Sequence, residues 1–169
     1  NTTHYVDAGE RAWSRGRAAL ALANWRAARG AERHLLDRRG RRRLDNRVRE
    51  AVTDLAKPAL AAAAQAVNSG NGGRALDILL PLYGGRGLYR DLTSDDLADA
   101  RDRLLPMLGR AVALASGIDV QALARGEGAV DAASQRVDAV RRRIERYVRS
   151  GARRRLLNLL GDVARPAIT

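Results

Sequence analysis

The chain has 169 residues, no cysteine, and 31 lysine and arginine residues against 19 aspartate and glutamate residues, which gives a formal net charge of +12. The missing cysteine excludes disulfides, thiolate metal sites and a cysteine nucleophile, and it favours a reducing, cytoplasmic location. The charge excess favours a polyanionic partner, which is a nucleic acid, a membrane surface or an acidic protein. No apolar run approaches the ~20 residues that span a bilayer, so we predict no membrane span.

The residue pattern is helical almost throughout. Alanine and leucine recur at helical spacing, phenylalanine is absent, and β-branched residues never alternate along the chain. We therefore predict an all-α fold, an irregular bundle of helical hairpins with repeat-like features. One domain should cover residues 8–165, with tails at 1–7 and 166–169, and we expect it to belong to a longer chain.

The predicted elements of the first half depend on glycine, asparagine and proline as breakers. They are a helix at 8–23, a turn at Asn24, a helix at 25–38, a break at Gly40, a third helix as far as Pro58, a new helix from Pro58 through 67, and a loop at 68–73.

In the second half a helix at 74–82 is broken by the glycine-rich residues 84–87. The hydroxyl of Thr93 and the carboxylates that follow it predict a capped helix start. Pro106 should kink or restart that helix, and a short turn is predicted at 119–125. The last helix or helix pair covers 130–163 and is interrupted around Ser150 and Gly151.

Two stretches resemble the tetratricopeptide repeat, a helix–turn–helix unit with small residues where its helices touch. In the first, Gly16, Trp25 and Ala28 match the helix-A glycine, the aromatic after the turn and the helix-B alanine. In the second the matching residues are Ala66, Gly70, Ala75, Leu79 and Leu82. The resemblance implies a scaffold that binds a peptide or protein. The alternative is close helix packing without any repeat, because the two matches are 47 residues apart whereas the family repeats every ~34.

An arginine segment, residues 38–49, carries seven arginines and a single carboxylate, Asp45. The seven candidates for binding nucleic acid are Arg38, Arg39, Arg41, Arg42, Arg43, Arg47 and Arg49. Like charges held this closely repel one another, and a phosphate partner would relieve that repulsion. Lys57 is the only lysine, so a coding bias toward arginine also contributes to this composition. Such a bias would exchange lysine for arginine but would not remove acidic residues, so it does not account for the net positive charge.

Two further groups of residues extend the predicted nucleic-acid site. Arg86 and Arg90 flank a glycine-rich loop whose two aromatics, Tyr83 and Tyr89, could stack on unpaired bases; buried rings in an ordinary helix connection are the alternative. Near the C-terminus the spacing of four, three and four would align one row of guanidinium groups if the helix continued through Ser150: Arg142, Arg146, Arg149 and Arg153. The alternative for this row is a solvated helix face with salt bridges, opposite a core stripe of Val130, Val137, Val140, Ile144 and Val148.

The search for catalytic chemistry gives little. His34 has no partner at metal-ligand spacing, and no serine lies in a nucleophile motif. Helix capping explains Asp95 and Asp96, so the i+3 spacing of Asp96, Asp99 and Asp102 is only a weak signal for a divalent-cation site. We therefore expect no enzyme, metal or cofactor. The sequence predicts a basic helical module that binds RNA or DNA through phosphates with little sequence specificity. The alternatives are a protein–protein scaffold or assembly subunit that binds an acidic partner and, last, an amphipathic membrane-surface element.

Overall fold

The structure is a computed structural model that describes residues 3–117 and 128–168, with side chains described for 3–117, 134–149 and 151–162. Every regular element in this part of the chain is helical, so the all-α prediction is confirmed. Its seven α-helices are α1 (His4–Ser14), α2 (Ala18–Ala31), α3 (Arg38–Asn68), α4 (Gly72–Tyr83), α5 (Ser94–Ser116), α6 (Gly128–Tyr147) and α7 (Ser150–Ile168), and 3₁₀ helices lie at Arg33–Leu35 and Gly87–Asp91. Helix α1 starts within the predicted tail, α7 ends beyond residue 166, and the turn predicted at 119–125 lies outside the described residues.

Two compact units make up the chain. The first comprises Asn1–Pro58 and Leu88–Asp99, and the second comprises Ala59–Gly87 and Ala100–Thr169. Helices α3 and α5 each contribute residues to both units. The single domain expected over residues 8–165 stays a prediction.

In the first unit α1 and α2 form a helical hairpin around Trp25. This side chain is fully buried, its ring centroid lies 5.8 Å from that of Trp13, and the backbone of Gly9 packs against its indole. A Cβ at position 9 would lie 2.8 Å from Trp25 Cε2 and closer still to Nε1. The close approach of the two helices therefore depends on glycine at this position.

The turn of this hairpin lies at residues 15–17, not at Asn24. Gly16 takes a φ of +70° there, a conformation that glycine adopts without steric cost. Asn24 lies inside α2, where its Nδ2 donates to the carbonyl of Leu20 at 3.0 Å. The predicted turn is therefore wrong, because the positive φ decides the position of the break and the asparagine bonds within its own helix.

Two residues on which the tetratricopeptide resemblance is based do not lie at the positions that the repeat would give them. Gly16 lies in the turn and Trp25 lies near the middle of α2, so Gly9 provides the small-residue contact instead. In the second unit Gly70 does lie in a turn, between α3 and α4, with a φ of +77°. The resemblance to the family itself stays a prediction.

A glutamate from just beyond α2 caps the N-terminus of α1. The backbone N–H of Tyr5 donates to Glu32 Oε1 at 2.6 Å, and that of Val6 donates to Oε2 at 3.1 Å. Glu32 is only 4% exposed. Its carboxylate satisfies two donors that have no partner inside the helix, and it lies at the positive end of the helix dipole. These two hydrogen bonds hold the first turn of α1 to the residue that follows α2.

Helix α3 runs without a break from Arg38 to Asn68. Asp37 caps it, because its Oδ1 accepts from the N–H of Gly40 at 2.7 Å. Gly40 therefore lies in the first turn, where the cap compensates for its poor helix propensity, and the predicted break there is wrong. Pro58 lies inside the same helix, so the predicted restart is wrong too.

Helix α5 starts where the sequence predicts, since Thr93 Oγ1 accepts from the N–H of Asp96 at 3.2 Å. It continues through Pro106 to Ser116 without restarting. In the second unit Asn71 caps α4 by accepting from the N–H of Arg74 at 3.1 Å. The large apolar residues buried in this unit include Leu76, Leu79, Leu80, Leu108, Val112, Val137, Val140, Ile144, Val148, Leu156 and Leu160.

The core-facing stripe predicted on α6 is confirmed for its described members. Val137, Val140, Ile144 and Val148 are each at most 4% exposed, while the side chain of Val130 lies outside the described residues. The predicted interruption near Ser150 is also confirmed, because α6 ends at Tyr147 and α7 begins at Ser150.

Candidate nucleic-acid interface

The arginine segment forms the N-terminal turns of α3, in the first unit. Five of its arginines are exposed, and four of these five fall within about 140° of the helix circumference. We call these four the arginine face: Arg38, Arg39, Arg42 and Arg43. Leu44 and Val48, on the opposite side of the helix, are 4% and 0% exposed. Burial of this apolar side therefore turns the four guanidinium groups toward solvent.

The carboxylates nearest to the arginine face in the chain already have partners. Asp45 accepts from Arg29 Nε at 3.2 Å and from Nη2 at 2.8 Å, and the carboxylate of Asp37 caps the helix. Glu50 is paired with Arg47 at 2.9 Å. Among the described side chains, no acid pairs with any arginine of the face. The four positive charges are thus not neutralised within the described structure.

The arginine face lies at the N-terminus of α3, where the helix dipole adds to the positive potential of its side chains. The free N–H groups of a helix N-terminus and the aligned peptide dipoles are equivalent to about half a positive charge. The first turn of α3 carries no acidic residue, and Arg38 and Arg39 occupy its first two positions. An arginine is unfavourable at this end of a helix, whereas an anion is favourable. These arginines therefore add to the positive potential at this end of α3, which the carboxylate of Asp37 offsets in part.

The other three arginines of the segment each bond or pair with another residue of the first unit. Arg41 Nε donates to the carbonyl of Arg33 at 3.1 Å. Arg49 lies 3.6 Å from Asp96. Arg47 is 2.9 Å from both of its partners, Glu10 and Glu50. Arg47 and Arg49 are therefore already paired with acids, and the arginine face is smaller than the set of seven that the sequence indicates.

The pKa of Arg47 reflects these bonds. The hydrogen bond to Glu50, with that to Glu10 and the charges of both acids, raises the pKa above its usual value, although burial opposes the shift. The Glu10 contact bridges residues 37 positions apart. No local signal in the sequence predicts it.

A groove of about 570 Å³ borders the arginine face between α1 and α3. It is lined by Val6, Asp7, Glu10, Arg43, Asn46, Arg47 and Glu50. Three of these residues are acidic and two are arginines, and Arg47 is paired with two of the acids, Glu10 and Glu50. Arg43 is therefore the member of the arginine face that borders α1.

The predicted stacking role of Tyr83 and Tyr89 is wrong. Tyr83 is 1% exposed and Tyr89 is 6% exposed, so neither ring can meet a base. Arg101 lies over the Tyr83 ring, 5.5 Å from its centroid, and its Nε donates to the Tyr83 carbonyl at 2.6 Å. Burial raises the pKa of Tyr83. Both aromatics belong to the core, as the alternative interpretation has it.

The two arginines of that loop belong to different units. Arg86, in the second unit, is exposed. Arg90, in the first unit, is exposed and lies 3.9 Å from Asp91. Asp91 is held in addition by Arg26, with bonds of 3.0 and 2.6 Å. The hydrogen bond that Arg26 donates to the carboxylate of Asp91 raises the pKa of Arg26. A role for Arg86 and Arg90 in nucleic-acid binding stays a prediction.

The row predicted near the C-terminus is not continuous, because the helix breaks between α6 and α7. Arg142, Arg146 and Arg149 are exposed. Arg153 instead turns back to α6, where its Nε donates to Val148 O and its Nη2 donates to Glu145 O, both at 3.0 Å. It satisfies carbonyls at the C-terminal end of α6. Arg153 thus caps a helix. A role of the three exposed arginines in binding nucleic acid stays a prediction.

The described residues hold no group of three or more histidine, cysteine, aspartate or glutamate side chains suited to a metal ion. Two members of the aspartate trio considered as a cation site are engaged with arginines. Asp96 lies 3.6 Å from Arg49, and Asp102 is bonded by Arg155. No helix in the described ranges is both long enough and apolar enough to cross a bilayer.

The sequence interpretation missed one exposed aromatic pair. The sequence predicts a tail over residues 1–7, but His4 and Tyr5 form the first turn of α1 and are both exposed. Comparison with protein-family models, curated proteins and solved structures found no match to this chain.

Proposed function

We propose that this chain is a non-enzymatic binding module that engages RNA or DNA through the arginine face of α3. The observation that carries the proposal is the group of four exposed arginines at a helix N-terminus with no acid paired to them. Elsewhere in the first unit Arg26, Arg29, Arg47 and Arg49 are each paired with a carboxylate. Arg11, Arg15 and Arg17 are also exposed and pair with no acid among the described side chains, so the arginine face is distinguished by the clustering of four such side chains at one helix N-terminus.

Binding would proceed by exchange of counterions for guanidinium groups at the phosphates. Each guanidinium can donate two parallel hydrogen bonds to one phosphate. Arg38 and Arg42, like Arg39 and Arg43, are one turn apart, about 6 Å along the axis. Neighbouring side chains can therefore reach different phosphates. Such contacts fix position and carry little sequence information, so we expect weak sequence preference.

The test is fluorescence anisotropy with labelled RNA and DNA, using the variant Arg42→Gln/Arg43→Gln. We expect it to bind about tenfold more weakly than the unmodified chain, because two of about four phosphate contacts are lost. The matched control is Arg15→Gln/Arg17→Gln, which removes the same charge from exposed positions. These residues lie in the turn of the α1–α2 hairpin, whereas the Glu32 cap joins the other end of the hairpin.

The control separates the arginine face from general surface charge. A control variant that binds within about twofold of the unmodified chain supports the proposal. Equal weakening of both variants would mean that the net charge, not the face, drives binding. Absence of binding to every probe at low salt would overturn the proposal, and acidic proteins would then be the partners to test.

A further inference from the structure

An exposed aromatic pair lies at the start of α1. Tyr5 is 39% exposed and is one of only four large apolar side chains with exposure this high among the described residues. The His4 ring, also exposed, meets it edge-on, with 5.6 Å between the centroids and 70° between the planes. Exposing an aromatic ring forgoes the free energy of its burial. Neither ring is used by the packing or by the phosphate contacts described above.

Hydrogen bonds place this pair at the same end of the first unit as the arginine face. The N–H of Tyr5 donates to Glu32 Oε1 at 2.6 Å. The next residue, Arg33, accepts from Arg41 Nε at 3.1 Å through its carbonyl. The first turns of α1 and α3 are thus both fastened to residues 32–33. Val6 and Asp7, which follow the pair in α1, line the same groove as Arg43 of the arginine face.

Exposed aromatic rings at the same end as the arginine face favour a single-stranded nucleic acid over a duplex. Unpaired bases expose their faces and stack on aromatic side chains, whereas a duplex hides these faces between neighbouring base pairs. A strand whose phosphates bind the complementary charge of the arginine face would have its bases at the end of the first unit that carries the rings. We infer that the chain prefers single-stranded RNA or DNA, with an unpaired base stacked on the His4–Tyr5 pair. This inference rests on the proposed function, whose phosphate contacts it uses.

The inference is tested by anisotropy with three labelled probes. They are a single strand of about 12 nucleotides, within the usual site size for single-strand binding, a duplex of the same length, and a strand of the same length whose central nucleotides are abasic. The variant His4→Ala/Tyr5→Ala removes the rings at exposed positions and keeps good helix formers. Leu20→Ala is the matched control, since it removes an exposed apolar side chain near the turn of the hairpin.

We expect the unmodified chain to bind the single strand at least fivefold more tightly than the duplex or the abasic strand, because stacking one base is worth about 1–3 kcal/mol. His4→Ala/Tyr5→Ala should lose that preference and still bind the abasic strand as before. Tyr5→Phe, which keeps a ring, and Leu20→Ala should both keep the preference.

Two failures remain distinguishable. If all three probes bind equally, and binding responds to Arg42→Gln/Arg43→Gln but not to His4→Ala/Tyr5→Ala, the stacking inference is wrong and the phosphate proposal stands. If no probe binds, or if the arginine variant binds as the unmodified chain does, the proposed function fails and the stacking inference fails with it.

Discussion

At the scale of single residues, the arginines of this chain divide by the partners they meet. Arg29 and Arg47 pair with acids 16 and 37 residues away, and no local spacing predicts such contacts. The pairing of Arg47 with Glu50 follows the i,i+3 rule and is predictable. The sequence therefore indicates where positive charge is concentrated, but only the fold shows which side chains lack a partner.

Trp25 and Gly9 give the first prediction. Gly9→Ala should destabilise the protein by about 1–3 kcal/mol, because the new Cβ overlaps the buried indole and forces the hairpin apart. Gly30→Ala, near the end of α2 where nothing lies within 4 Å of the new Cβ, should instead stabilise it by roughly 0.5–1 kcal/mol through helix propensity. Urea unfolding followed by circular dichroism measures both. A stabilised Gly9→Ala variant would contradict the packing of the hairpin.

Glu32 gives the second prediction. Glu32→Ala should lower the free energy of unfolding by about 1–3 kcal/mol, because the first turn of α1 loses a charged cap at a site closed to water. Glu32→Gln keeps one acceptor oxygen and should lose less. The comparison is again by urea unfolding, and equal stability of Glu32→Ala and the unmodified chain would show that the cap is not formed.

At the scale of elements, the sequence indicates helices more reliably than their ends. The start of α5 at Thr93 and the break before α7 are predicted correctly, because capping hydroxyls and glycine have local effects. The break predicted at Gly40 fails because the cap at Asp37 starts α3 just before it. A breaker residue is thus tolerated where a neighbouring cap or tertiary packing supports the helix.

The N-terminus of α3 gives the third prediction. Arg39→Gln should raise the free energy of unfolding by about 0.3–1 kcal/mol at low salt, because it removes a positive charge from the positive end of the dipole and from beside other arginines. Arg11→Gln, in the last turn of α1 where a cation is favourable, should shift stability the other way. Salt should shrink both effects. If Arg39→Gln lowers stability at low salt, the arginine face does not carry the electrostatic cost described here.

At the scale of the whole molecule, composition predicts the all-α class, which the structure confirms, and the net charge of +12 predicts a polyanionic partner, which stays a prediction. Composition cannot place the aromatic residues. Tyr83 and Tyr89 stand beside arginines in the sequence but are buried, whereas His4 and Tyr5 look like a tail and are exposed. Exposure depends on which helix faces pack together, and that is decided by contacts between residues far apart in the chain.

The most direct test of the central claim is the salt dependence of binding to a single strand, measured by anisotropy for the unmodified chain and for Arg42→Gln/Arg43→Gln. About four phosphate contacts on a single strand predict a log–log slope near −2.8, and the variant should show about half of it, near −1.4. Equal slopes for the two proteins would contradict the account, because Arg42 and Arg43, half of the arginine face, would then make no phosphate contacts.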